Sequence, residues 1–143
     1  MNRAESILNA VTGALTGLAT TGVNVQRSRT FPSLALPALT VAMGSNDVQQ
    51  DNEFESDLDE LSRQLQINIT AHQRAGSSME TVFNQIAAEI YAALTADRSH
   101  GLGYVLDTRL QGDSEPDISS APTVSQRMTW LVHYQHSNTS TEV

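Results

Sequence analysis

The sequence contains neither cysteine nor lysine, and each absence removes a class of chemistry. Without thiols there is no disulfide, no thiolate zinc centre and no cysteine nucleophile, so a metal site would have to be built from histidine and carboxylate. The redox compartment stays open. All eight basic residues are arginine, which excludes Schiff-base, lysine-base and P-loop mechanisms. Positive charge is also scarce. Eight arginines against sixteen acids give a formal net charge of −8, whereas a sequence-independent hold on nucleic-acid phosphates needs clustered cations. Nor is there a continuous apolar run of the kind a signal peptide or a membrane span requires, and the chain reads as a mature cytosolic product with no membrane partner.

At 143 residues the chain is the usual size of one domain, with enough length to bury a core without staples. Ala4, Ile7, Leu8, Val11, Leu15 and Leu18 recur at helical spacing, and Gly17 and Gly22 offer stops. The stretch from Val23 to Arg29 alternates, with Val23, Val25, Arg27 and Arg29 on one face. It predicts a strand whose second half leaves the core. Phe31-Pro32 and Pro37 mark a loop, Leu39 to Met43 a short apolar strand, and Gly44-Ser45-Asn46-Asp47 a turn that ends it.

From Asp47 to Glu60 the chain carries Asp47, Asp51, Glu53, Glu55, Asp57, Asp59 and Glu60 with almost no apolar periodicity, and it reads as a mobile acidic loop, residues 47–60. Leu65, Ile67, Ile69 and Ala71 then alternate with Gln64, Gln66, Asn68, Thr70 and His72, the pattern of a half-buried strand whose polar face is wet. Ser77 with Glu80 three residues on forms a capping-box pattern. It opens a helix striped by Met79, Val82, Phe83, Ile86, Ile90 and Leu94. After Gly101-Leu102-Gly103 come a strand from Tyr104 to Leu110 and a polar linker from Gln111 to Pro122. A long strand through Val124, Gln126, Met128, Trp130, Val132 and Tyr134 follows, then a frayed tail, 138–143. The order of elements is not the strict alternation of a doubly wound sheet. It fits one α+β domain spanning 1–143, with two main helices packed on a mostly antiparallel or mixed sheet.

Candidate chemistry is thin. Asp51-Asn52-Glu53-Phe54-Glu55 lacks the glycine and terminal glutamate of a calcium loop, and its acids sit in a polar stretch that would not raise a catalytic pKa. His133 and His136, three apart on a strand, point to opposite faces and make a poor chelate. His72 falls on a polar face. His100 lies just past a helix end, where an imidazolium would complement the dipole, so exposed or capping roles suit these histidines. Trp130 and Tyr134 share a strand face with Met128 and Val132 as core aromatics, with only Arg109 and Arg127 near in sequence to serve a stacking platform. No hydrolase elbow, zinc-protease helix or Walker loop occurs, and Gly101-Leu102-Gly103 follows a helix as a C-cap would. We therefore expect no enzyme, no catalytic residues, no cofactor and no metal. Arg27 and Arg29 are the better functional candidates, as guanidinium groups aimed at acids such as the acidic loop of a neighbouring subunit, or as plain surface arginines.

Ala4-Glu5-Ser6-Ile7-Leu8, Val25-Gln26-Arg27-Ser28-Arg29 with Phe31-Pro32 and Leu36-Pro37-Ala38-Leu39, Leu65-Gln66-Ile67-Asn68-Ile69, the helix from Ser77 to Ala96 and Arg127-Met128-Thr129-Trp130-Leu131-Val132 together resemble the tail terminator proteins of long-tailed bacteriophages, the minor tail protein U group of lambda-like phages. That resemblance spans nearly the whole chain as an order of elements with a few short matches. It implies a structural virion protein, assembled in the host cytoplasm and located at the head-proximal end of the tail. Such a protein forms a homohexameric ring on the tail tube protein, stops tail polymerisation and offers a surface to the head-to-tail connector protein, without sequence-specific contact to nucleic acid. The interface residues expected on charge and exposure are Arg27, Arg29, Asp47, Asp51, Glu53, Glu55 and Asp57. A head-to-tail connector or other tail-completion subunit is the nearest alternative, and a small metal-dependent hydrolase a more distant one.

Overall fold

The computed structural model describes residues 2–27, 35–49, 60–118 and 122–137. Its elements follow in the order α1 (Arg3–Leu15), β1 (Val25–Arg27), β2 (Ala38–Gln49), β3 (Glu60–Arg74), α2 (Met79–Ala96), β4 (Val105–Asp113) and β5 (Thr123–Ser137). One five-stranded sheet has the order β1-β2-β3-β5-β4; β1 pairs with β2 in parallel and every other pair is antiparallel. This is the expected α+β arrangement.

The helices lie on one face of the sheet because both present one apolar stripe. Ile7, Leu8, Val11 and Leu15 of α1 and Phe83, Ile86, Ile90 and Leu94 of α2 are buried, and they meet Leu39 and Val41 of β2, Leu65, Ile67 and Ile69 of β3, and Met128, Trp130 and Val132 of β5. Leu65 faces Val132, Ile67 faces Trp130 and Ile69 faces Met128 in register, so the two central strands supply the middle of the core as cross-strand pairs. Trp130 and Tyr134 are fully buried, as the alternation implied.

Several boundaries differ from the sequence reading. Helix α1 ends at Leu15, and the chain turns through residues 16–23 with Gly17 (φ +94°) and Gly22 (φ +58°) in left-handed conformations that glycine adopts without a Cβ clash. Reciprocal backbone bonds, Gly17 N to Gly22 O at 2.8 Å and Gly22 N to Leu18 O at 2.7 Å, close the turn. Val23, placed on the apolar strand face by alternation, is 77% exposed, and the strand begins two residues later. Helix α2 starts at Met79, with Ser78 as N-cap and no side-chain capping bond, so the Ser77–Glu80 capping box does not form. The side-chain cap is on α1, where Asn2 accepts from Glu5 N at 2.8 Å.

The largest difference concerns the acidic stretch. Gly44-Ser45-Asn46-Asp47 does not end β2: the strand continues to Gln49, and Asp47, Val48 and Gln49 pair with Gln64, Arg63 and Ser62. Glu60 already belongs to β3. Residues 47–49 and 60 are therefore strand and not loop. What looked like turn chemistry is a bulge, in which Gly44 and Ser45 both oppose Gln66 between the pairs Met43–Ile67 and Asn46–Leu65. A Cβ on Gly44 would run into the Gln66 amide, and Ser45 N reaches that amide's oxygen at 3.4 Å. Residues 50–59 and the tail 138–143 lie outside the described residues. Likewise β4 runs on to Asp113, and Asp117 bridges Ser125 inside the predicted polar linker.

The 15-residue β3 spans about 50 Å at strand rise, whereas the 18-residue α2 spans about 27 Å at helical rise. β3 is therefore nearly twice as long as α2, and its start forms a long hairpin arm with the end of β2, flanked by the end of β5.

Candidate functional site

Two surfaces follow from this layout: the helix-free face of the sheet and the end of the β2–β3 arm. On the free face the side chains form transverse rows set by the register. Thr40, Thr70 and Arg127 make one row, Ala42, Asn68 and Thr129 the next, Gln66, Leu131 and Arg109 a third, and Asp47, Gln64, His133 and Asp107 a fourth near the arm. Thr129 Oγ1 donates to Asn68 Oδ1 at 3.1 Å and Gln66 Nε2 to Gln111 Oε1 at 3.3 Å, so part of the face is knit by side-chain bonds. The two arginines near the aromatic strand, Arg109 and Arg127, lie here, on the face opposite Trp130 and Tyr134. That separation removes the stacking platform.

Arg27 is held by its own chain. Its guanidinium forms an ion pair with Glu5 on α1 and donates to Asn9 Oδ1 at 3.1 Å. The bond from Arg27, before the general attraction of its charge, keeps the Glu5 carboxyl below its usual value. Both groups remain partly solvated, with side chains 34% and 44% exposed. Asp47 is exposed on the free face. Arg29, Asp51, Glu53, Glu55 and Asp57 lie outside the described residues.

The base of the arm is buried on the helix side. Arg63 donates from Nε to His136 Nε2 at 2.8 Å and from Nη1 to the Asn46 carbonyl at 3.4 Å, and Asn46 Nδ2 donates to the Tyr134 hydroxyl at 3.0 Å. His136 thus accepts at Nε2. This network, invisible in the sequence, ties three strands together beside the start of α1, whose Arg3 donates to the Gln135 carbonyl.

None of the histidines is the exposed or capping group expected. His136 is 2% exposed and His72 is 5% exposed; His72 lies between Thr40 Oγ1 at 2.9 Å and Ser125 Oγ at 2.7 Å. His100 has φ +55° and contacts Thr108 Oγ1 at 2.7 Å from Nε2. Burial lowers the pKa of both His72 and His100, with Asp97 opposing it weakly at His100, so an imidazolium complementing the helix end is not the favoured state. His133 and His136 do point to opposite faces. Among the described residues no group of three or more histidines and carboxylates is placed to hold a metal, and no helix is long and apolar enough to cross a membrane.

The two depressed histidines give a pH dependence. In the unfolded chain each ring takes up a proton near its ordinary value of 6.5, and in the folded chain only at lower pH, so the unfolded state binds more protons between those values. Stability is fully present above the unfolded value and declines as pH falls towards the folded values. Urea midpoints at pH 7.5 and 5.5, a window in which ordinary carboxylates stay ionised, should therefore show lower stability at 5.5, and His72→Gln should shrink the difference. An unchanged midpoint at 5.5 would contradict the burial of these rings.

No family model matches the chain, and no curated protein matches its sequence. Among solved structures the fold is similar to that of a chain in the "Virion of native gene transfer agent (GTA) particle", with 17% identity, a TM-score of 0.56 and coverage of 93% of this chain and 92% of that one. At that identity the likeness is one of fold, carried from end to end of both chains.

Proposed function

We propose that the chain is a structural subunit of a phage-like virion, and more narrowly a tail terminator: a ring-forming protein that caps the tail tube, stops its polymerisation and presents the surface to which the head connector joins. The observation that carries this reading is the end-to-end likeness of fold to a chain of a gene transfer agent virion, whose whole length is matched with almost no remainder on either side. The elongated sheet supports it. The middle of β3 builds the core, while its start and the end of β2 extend the strands further than that core requires, and this extension suits contact with a neighbour. A ring then arises when an arm on one copy meets a different surface on the next and the rotation closes, a heterologous contact. Arg27, Arg29, Asp47, Asp51, Glu53, Glu55 and Asp57 are the charged groups assigned to that contact. Arg27 reaches it as a guanidinium already shared with Glu5.

Native mass spectrometry of the purified chain, alone and with tail tubes, should show hexamers, and negative-stain images should show one ring at a tube end. A stable twofold dimer as the only oligomer would sink the ring, and rings that bind head connectors but never tube ends would move the chain to the connector class.

A further inference from the structure

We propose that the free face of the sheet carries a carboxylate-binding cleft built from Arg109, His133 and Asp107. This site goes beyond the terminator reading, since it holds for any function of the fold.

Register places it. Asp107 on β4 pairs with His133 on β5, which pairs with Gln64 on β3, and Arg109 stands two residues along β4 from Asp107, on the same face and opposite Leu131. These five residues line a cleft of about 260 Å³. At about 30 Å³ per water molecule, such a cleft has room for a carboxylate head group together with several waters.

Three observations point to an anion. The Nε2 atom of His133 is buried and has no hydrogen-bond partner, although its side chain borders the cleft. Buried polar atoms are almost always paired, so an unpaired one in a ring that borders a cleft marks a donor that a turn of the ring brings within reach of a ligand atom. Arg109 is exposed and forms no hydrogen bond or ion pair with any described residue, unlike Arg3, Arg27, Arg63 and Arg98. Asp107, the acid that would oppose an anion, already has Arg98 at 3.7 Å on its edge side. Arg98 thus offsets Asp107 from outside the cleft lining and Arg109 is the cation that faces the cleft, with Asp47 beyond Gln64 in the same row. A carboxylate entering the cleft would accept from the Arg109 fork and from a proton on His133 Nε2, a charge-assisted pair of bonds. The carboxylate is either that of a free small anion or that of an acidic side chain from a second copy, because this chain carries sixteen acids for eight arginines.

The test follows the histidine ring signals by NMR at fixed pH while sodium acetate is added to the intact protein. His133 should move saturably and His72 should not, because its ring is enclosed by Thr40 and Ser125. Arg109→Gln, at an exposed position, should stay folded by circular dichroism and bind acetate at least about tenfold more weakly. A dilution series without acetate separates the sources. Movement of the His133 signal with protein concentration, lost in Arg109→Gln, assigns the carboxylate to a second copy, and no movement assigns it to a free anion. A His133 signal that ignores acetate, or that responds equally in Arg109→Gln, would overturn the site. A failure here leaves hexamer formation untouched, so it is distinguishable from a failure of the ring.

Discussion

Replacing Trp130 with alanine is expected to destabilise the chain by about 3 to 5 kcal/mol, the range for removing a large aromatic side chain from a packed core. Trp130 is 1% exposed, pairs with Ile67 across the central strands and lies 5.8 Å from the Tyr91 ring, centroid to centroid, so no single neighbour can move in to fill its volume. For a domain of this size the thermal midpoint should fall by roughly 10 °C. Trp130→Phe provides the contrast. The indole nitrogen is buried without a hydrogen-bond partner, so phenylalanine removes an unmet donor along with part of the ring volume, and the loss should be less than half that of alanine. Thermal melts followed by circular dichroism decide it. Equal destabilisation by the two replacements would mean that the indole nitrogen is satisfied after all.

The parts of the fold that were legible in the sequence are those where one face is wholly buried. Along α2 the buried stripe is Phe83, Ile86, Ile90 and Leu94, with Met79, Val82, Ala87 and Ala93 packed at its margins, and along the middle of β3 and β5 apolar residues alternate with polar ones, so period alone fixes type and face. The arm was misread because its residues fit two grammars. Gly44-Ser45-Asn46-Asp47 is as good a turn as it is a bulge, and only the partner strand decides, through Gln66 opposing two residues where a turn would have none. Towards the arm the strands also lose their apolar code. Asn46, Arg63 and His136 take the inward positions there and bond to one another, which reads as polar sequence although the side of His136 is closed.

The candidate site was legible only in pieces. Arg27 stands out on its strand, but its partner Glu5 lies 22 residues away on a helix, and nothing in either segment announces the pairing. Alternation gives the face of His72 but not its environment, because burial of an outer-face ring depends on Thr40 and Ser125 arriving from two other strands. In sequence Arg109 stands out only as a cation near the aromatic strand, and His133 only as half of a poor chelate. Their convergence depends on the β4–β5 register and its irregularity between Val105 and Asp107, which no single segment encodes. An apolar–polar alternation count extended through Val132, His133 and Tyr134 does show His133 facing away from the core, and that was the available signal.

The largest effect on assembly is expected from shortening the arm. Gln49 and Ser62 are cross-strand partners, so replacing residues 50–61 with Asn-Gly joins them through a two-residue hairpin loop whose twist suits the flanking strands. The replacement removes Asp51, Glu53, Glu55, Asp57, Asp59 and Glu60 together, and leaves the Arg63–His136–Asn46 network and the whole helix-covered core in place. The monomer should therefore melt within a few degrees of the parent, since none of the buried core side chains among the described residues is altered. Ring formation should fail. If the arm of one copy supplies the contact to the next, losing it removes half of every subunit boundary at once, and a closed ring magnifies any weakening of one boundary across all of its copies. A drop of at least about tenfold in assembly, or roughly 1.4 kcal/mol per boundary, is the smallest effect consistent with this role. Native mass spectrometry should show only monomer, and particles carrying the shortened subunit should have tails of uncontrolled length. Hexamers of normal yield together with normal tails would assign the arm to no contact that matters, and the ring would then have to close through the edges of the sheet.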